Sequence, residues 1–170
     1  MRSSFYNADV IEALAEHGRV TADSRVVDVG TGTGFVAAGL AGRAAAVVGI
    51  DNSPAMLAVA ADNLAALGAG NVTLAEGEVD SLGLPDDYAD VAVANMVLHH
   101  APDPAGMLAE MARVVRPGGT IAITDEIEHS YEWMRTEQAD LWLGFTPEQV
   151  GGYFQRARLV EYGYASMGMQ

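Results

Sequence analysis

Residues 26 to 35 read VVDVGTGTGF, with glycines at 30, 32 and 34 just where a short apolar run ends. Glycine beside a strand costs stability, because it loses the most entropy on ordering and packs nothing. A cluster of three is kept where a turn is too tight for a Cβ or where something must approach the backbone closely. A glycine-rich turn that leaves a strand and opens a helix suits a nucleotide-like ligand. The feature asks for a strand before it, a helix after it and a parallel neighbour.

The rest of the chain supplies that context. Short β-rich runs stand at SRVVDVG, AAVVGID, NVTLAEG, DVAVAN and GTIAITD. Between them lie alanine- and leucine-rich segments at helical spacing, with Leu57, Ala60, Leu64 and Leu67 on one face and Leu108, Met111 and Val115 on another. This alternation predicts an α/β fold: a doubly wound, mostly parallel sheet flanked by helices. Ser53-Pro54, Asp103-Pro104 and Thr146-Pro147-Glu148-Gln149 mark helix starts, the last with a capping box. Pro117-Gly118-Gly119 ends one helix and launches a strand at Thr120. Residues 77 to 89 read as a loop or short helix. Residues 126 to 145, EIEHSYEWMRTEQADLWLGF, read as an insertion after the fifth strand that covers a substrate.

Composition narrows the function. With 170 residues, the chain reads as one domain spanning 1–170. Its formal charge of −14, from 23 acids against 9 Lys and Arg, argues against a nucleic-acid partner, which needs clustered cations. The absence of cysteine excludes disulfides, thiolate metal sites and a thiol nucleophile. Apolar runs fall far short of the ~20 residues of a membrane span, and MRSSFYNADV has no signal core. The expectation is a cytoplasmic protein with no membrane partner.

Two cofactor classes use a glycine turn followed by an acid such as Asp51 at the end of the next strand. A dinucleotide would need G-x-G-x-x-G or G-x-G-x-x-A. From Gly30 the pattern fails at Phe35, and from Gly32 it is met only by ending on Ala37. VVDVGTGTG instead resembles the first motif of class I S-adenosylmethionine-dependent methyltransferases. The likeness runs from about residue 24 to 125 and takes in VVGIDNSPAML, AEGEVDSLGLPD, DVAVANMVLHH and RVVRPGGTIAITD. The whole string is similar to the ubiquinone/menaquinone-type small-molecule methyltransferases.

That resemblance implies S-adenosylmethionine as cofactor, a Rossmann-like fold and methyl transfer to a small-molecule substrate. It implies that Gly30, Thr31, Gly32 and Gly34 lie against the methionyl part and that Asp28 orients the turn. Asp51, with Asn52 beside it, would hold the ribose. Met56 would lie under the adenine, Glu78 and the N–H of Val79 would read its edge, and Asn95 would sit by the methionyl amine. The sulfonium already activates the methyl, so positioning can supply roughly 7–11 kcal/mol of barrier reduction without a dedicated base.

Other roles stay open on the residues themselves. His99 and His100 follow the fourth strand, where a base would face the crevice, and helix packing is an equal reading. His129 is a third candidate base. Asp125, Glu126, Glu128 and His129 form a cluster that reads as a metal site, a base or a polar loop; no ligand spacing is diagnostic, and no metal is expected. Tyr131, Trp133, Trp142 and Phe145 line a lid or pack a helix. NMVL replaces N/D-P-P-Y, which argues against amino-methylation of adenine or glutamine. Lack of cysteine counts against cytosine-C5 methylation and cysteine-dependent arsenite methylation, although EWMRTEQADLWLGF faintly resembles methyltransferases associated with metal-responsive repressors.

The family sheet has seven strands. Here a sixth is expected near LVEYGYASMG, and the seventh is missing. An open edge with Leu159, Val160 and Tyr162, and Tyr164 and Met167 further on, predicts a homodimer. Tyr6 is the one candidate near the N-terminus to close over a cofactor. The alternative to an enzyme is a non-catalytic S-adenosylmethionine-binding sensor or assembly subunit.

Overall fold

The structure, a computed structural model, describes residues 8–167. Tyr6 lies outside the described residues. The five runs form strands β1 (Arg25–Val29), β2 (Ala46–Asp51), β3 (Val72–Glu76), β4 (Ala89–Asn95) and β5 (Val115–Thr124). They pair in parallel throughout, in the order β3-β2-β1-β4-β5. The chain winds outward from β1 to β3, then returns to set β4 against the other side of β1. That reversal opens a crevice beyond the C-terminal ends of β1 and β4, the usual ligand position in such sheets.

Side chains alternate across the sheet because successive residues of a strand face opposite ways. Val26, Val47, Val91 and Val93 face α1 (Ala8–His17) and α2 (Phe35–Ala41). Val27, Val29, Val48, Ile50, Ala92 and Ala94 face α4 (Pro104–Val114) and α6 (Pro147–Arg156). Helix α3 (Pro54–Leu67) packs on β3 at the sheet edge. Its Ala60 and Leu64 are buried, but Leu67, expected on the same face, is 70% exposed, because no described strand lies beyond β3 to cover it. The expected caps are present at Ser53, Asp103 and Thr146, the last with both hydrogen bonds of the capping box.

Three expectations are corrected or narrowed. First, β5 starts at Val115, not Thr120. Val115 pairs with Ala89 and Thr120 with Val91, so residues 116–119 bulge out of the ladder, with Gly118 in the left-handed region at φ 81°. Second, of the loop or short helix expected over residues 77 to 89, it is the loop that forms, with an isolated bridge between Glu78 and Ser81 and β4 starting at Ala89. Third, among the described residues no sixth strand follows α6. Arg158 and Glu161 adopt left-handed φ of 59° and 56°, which breaks any extended run. Tyr162 instead turns back on α6, its ring edge-on to Phe154 and its hydroxyl accepting from Gln155 Nε2 at 2.9 Å.

The segment after β5 carries α5 (Trp133–Glu137) and doubles back on its own start, where Ile127 forms an isolated parallel bridge with Phe145. Phe145 is buried against Tyr153 of α6. No helix among the described residues is long and apolar enough to cross a membrane.

Candidate functional site

The glycine turn leaves β1 at the reversal point. Gly30, Gly32 and Gly34 all have positive φ, at 68°, 53° and 80°. A Cβ on Gly30 would meet the Val97 side chain at 2.5 Å, and one on Gly34 would press Ala60 at 3.2 Å. Around Gly32 the nearest atom is 3.9 Å away, so its missing side chain leaves backbone facing open space. Packing therefore dictates two of the three glycines, while the third leaves open space beside the turn.

Asp28 and Asp51 hold the turn from opposite sides. Asp28 Oδ2 accepts from the Thr31 hydroxyl at 2.6 Å and from the Ala37 N–H at 3.1 Å, the latter in the first turn of α2. Burial pushes the Asp28 carboxyl up to about 7, against the pull of those two hydrogen bonds; the charge of Asp51 adds to the rise. Asp51 Oδ2 accepts from the Gly32 N–H at 2.8 Å and Oδ1 from the Ser53 N–H at 2.9 Å. A carboxylate has about four acceptor positions, so two backbone bonds leave one on each oxygen. The Thr31 N–H also bonds Ile50 O at 2.8 Å, locking the turn to β2.

The other expected residues ring this centre. Asn95 ends β4 next to Gly30, and its Oδ1 accepts from the Thr124 hydroxyl at 2.7 Å, which fixes the amide. Asn52 and Glu78 are joined by a 2.9 Å hydrogen bond, tying the end of β2 to the loop after β3. Met56 is 42% exposed at the start of α3, and Val79 packs partly against the core. A small cavity is lined by Asp28, Gly30, Thr31, Gly32, Thr33, Phe35, Val36 and Asn95, with no cation among them.

The three histidines divide. His99 is buried in a short 3₁₀ turn, Leu98–His100, directly after β4. Its Nδ1 lies 2.8 Å from Asp125 Oδ1, while Asp125 Oδ2 accepts from the Leu98 N–H at 2.9 Å. Burial opposes charge on His99, yet Asp125, with Asp140 and Glu126 behind it, lifts its pKa above the ordinary value. His129 Nδ1 accepts from the Tyr131 N–H at 3.2 Å, so its Nε2 carries the proton and donates to Glu126 at 2.8 Å. Both ring nitrogens of His129 are engaged. His100 is the exposed one. The expected four-residue cluster is therefore two separate pairs, Asp125 with His99 and Glu126 with His129, while Glu128 is exposed. Tyr131 and Trp133 are exposed; Trp142 donates from its indole to Ala101 O at 2.9 Å.

Three residues escape sequence reasoning. Val97 closes over Gly30. Gly49 lets the turn approach β2, since a Cβ there would sit 2.7 Å from Thr31 Oγ1; a glycine inside an apolar strand was the available signal. Asp140 is buried at 3% exposure, and only the fold reveals it.

Residues 27–123 match the family profile described as a methyltransferase domain. The chain belongs to this family. Among curated relatives, an arsenite methyltransferase of Halobacterium salinarum is 36% identical over 106 residues, 61% of this chain and 27% of that one. A chloroplastic 2-methyl-6-phytyl-1,4-hydroquinone methyltransferase of Oryza sativa is 35% identical over 127 residues, 74% of this chain and 35% of that one. The chain thus spans about a third or less of these two relatives' length. Among solved structures, a SAM-dependent methyltransferase from Aquifex aeolicus superposes with a TM-score of 0.76 at 25% identity, covering 92% of this chain and 81% of that one. The family's doubly wound sheet is the one described here.

Proposed function

We propose that this domain binds S-adenosylmethionine and transfers its methyl group to a small-molecule acceptor. The carrying observation is the Gly32–Asp51 hydrogen bond: one carboxylate fixes the bare backbone of the turn and keeps an acceptor position on each oxygen. A ribose presents two adjacent hydroxyls, and a carboxylate with two such positions matches them. Around it the donor set suits a cation. Asp28, Asp51 and Asn95 surround the turn, and no Arg lines the cavity. The chain has no lysine at all. A pyrophosphate would meet carboxylates with no side-chain cation to offset them, whereas a sulfonium and an ammonium would find those carboxylates favourable. The cofactor supplies an already activated methyl.

The chain's own work is positioning. Asp51 and the Asn52–Glu78 pair hold the nucleoside end, Asp28 and Asn95 the methionyl end, and Met56 and Val79 flank the base. Residues 126–145 serve as the cover over the acceptor, within a single domain. Relatives named for a phytyl-hydroquinone and for arsenite bracket the acceptor. With no cysteine to bind trivalent arsenic, the quinol-type hydroxyaromatic is the better class. A cytoplasmic site of action belongs to the same reading. So does a second copy of the chain; with no sixth strand among the described residues to carry it, we assign it to β5, which has a single ladder neighbour among them.

The test is turnover. Purified protein with S-adenosylmethionine and a panel of hydroquinones should release S-adenosylhomocysteine. Binding of S-adenosylhomocysteine without turnover on any acceptor would favour the sensor; preference for NAD would end the proposal.

A further inference from the structure

Beyond the glycine turn lies a second polar cluster that the methyl-transfer reading does not use. Asp140 sits in the segment after α5 with its side chain 1% exposed. Neither of its carboxylate oxygens accepts a hydrogen bond from any described group. A buried carboxylate left that way is costly, because it has given up water without replacement. Two imidazoles face it: His99 Nε2 lies 3.7 Å from Asp140 Oδ1, and His100 Nδ1 lies 3.8 Å from the same atom and 3.3 Å from Ala139 O, a contact that it gives up with its proton on taking a metal. The two gaps to Asp140 are too long for hydrogen bonds. They are close to the spacing of ligands sharing one ion: with metal–ligand bonds of about 2.0–2.2 Å, neighbouring donors in a tetrahedron stand about 3.3–3.6 Å apart. One donor atom from each of the three residues fits within a span of 4.8 Å.

We propose that His99, His100 and Asp140 bind a divalent transition-metal ion of the zinc type. Asp125 completes the arrangement. Its carboxylate holds His99 Nδ1 at 2.8 Å, which turns Nε2 toward Asp140. A ligating histidine typically donates its other ring N–H to a carboxylate in this way. Two imidazoles and one carboxylate suit zinc, and not magnesium or calcium, which take oxygen ligands. His100, with a side chain 44% exposed, gives the ion a path in and leaves the fourth position to solvent or a ligand.

The ion would fasten the turn after β4 to residues 139–142. Backbone bonds already join them: the Leu141 and Trp142 N–H groups both donate to His99 O, at 3.1 and 3.0 Å. Zinc would therefore order the segment over the crevice. This departs from the expectation of no metal, and it is independent of what the glycine turn binds.

The test is calorimetric titration of the untagged chain with Zn²⁺, with Co²⁺ absorption to report coordination. One ion per chain is expected, with a tetrahedral Co²⁺ spectrum. His100→Ala and Asp140→Asn should each weaken binding at least tenfold, while His17→Ala, on the far end of α1, should not. Should Asp140→Asn fail to fold, His100→Ala decides by itself. No stoichiometric binding, or affinity unchanged in His100→Ala, overturns the proposal. S-adenosylhomocysteine binding in the same samples reports separately on the glycine turn, so failure of one site is distinguishable from failure of the other.

Discussion

At the scale of single residues, Asp28 and Asp51 do different work with the same side chain. Asp51 is partly exposed and carries two backbone N–H groups. Asp51→Ala should weaken S-adenosylhomocysteine binding by roughly 1.5–3 kcal/mol, the range for hydrogen bonds to a charged group, with the fold retained. Calorimetry with circular dichroism checks both halves, and unchanged affinity would move the ribose elsewhere. Asp28 is fully buried, and its carboxyl is raised to about 7. The unfolded chain then binds fewer protons than the folded one between about pH 4 and 7, so this group's contribution to stability falls as pH rises through that window. A cationic ligand beside Asp28 favours its ionised form. Cofactor binding at pH 6 should therefore release protons, and affinity should rise toward pH 8. Heats measured in buffers of different ionisation enthalpy read the proton count; uptake of protons would contradict the placement.

At the scale of elements, the parts differ in how firmly they are held. Strand β4 is buried along most of its length and paired on both sides, whereas α5 buries no residue and is one turn long. Local opening follows burial and contact. Amides of residues 133–137 should exchange with deuterium orders of magnitude faster than those of β4. Equal protection would mean that something covers α5. The same contrast explains what could be read from the chain. The five strands were legible because each is an apolar run ending at a glycine, acid or asparagine. The helix starts were legible because capping side chains and prolines act locally. The false sixth strand shows the limit: LVEYGY has the composition of a strand, but left-handed Arg158 and Glu161 and the Phe154 ring send it back onto α6. The acids of the cluster were visible too, but the partners of Asp125, Leu98 N–H and His99, come from a different part of the chain. Asp140 was illegible for the same reason, since burial of one acid in a polar segment is decided by tertiary packing.

At the scale of the whole molecule, charge and edge oppose each other. The free edge of β5 invites a second chain, but Arg116, Pro117 and the bulge blunt its first half, and each copy carries a formal −14. Screening lengths fall from ~30 Å at 0.01 M salt to ~8 Å at 0.15 M. Self-association at this edge should therefore be weakest at low salt and grow with ionic strength. Light scattering across a dilution series at both salts measures it, and a monomer of 17.8 kDa at every condition would remove the β5 dimer.

The winding order also sets a clock. Val26 in β1 pairs with Val47 on one side and with Val91 on the other. The first partner is made soon after β1; the second arrives only after β3 has been built and the chain has doubled back. At about 5–20 residues per second on a ribosome, β1 waits on the order of several seconds with one flank bare. Its neighbours during that wait are β2 and β3, so the half that holds Asp28, Asp51 and the glycine turn takes shape first, and the half that holds the histidines closes onto it.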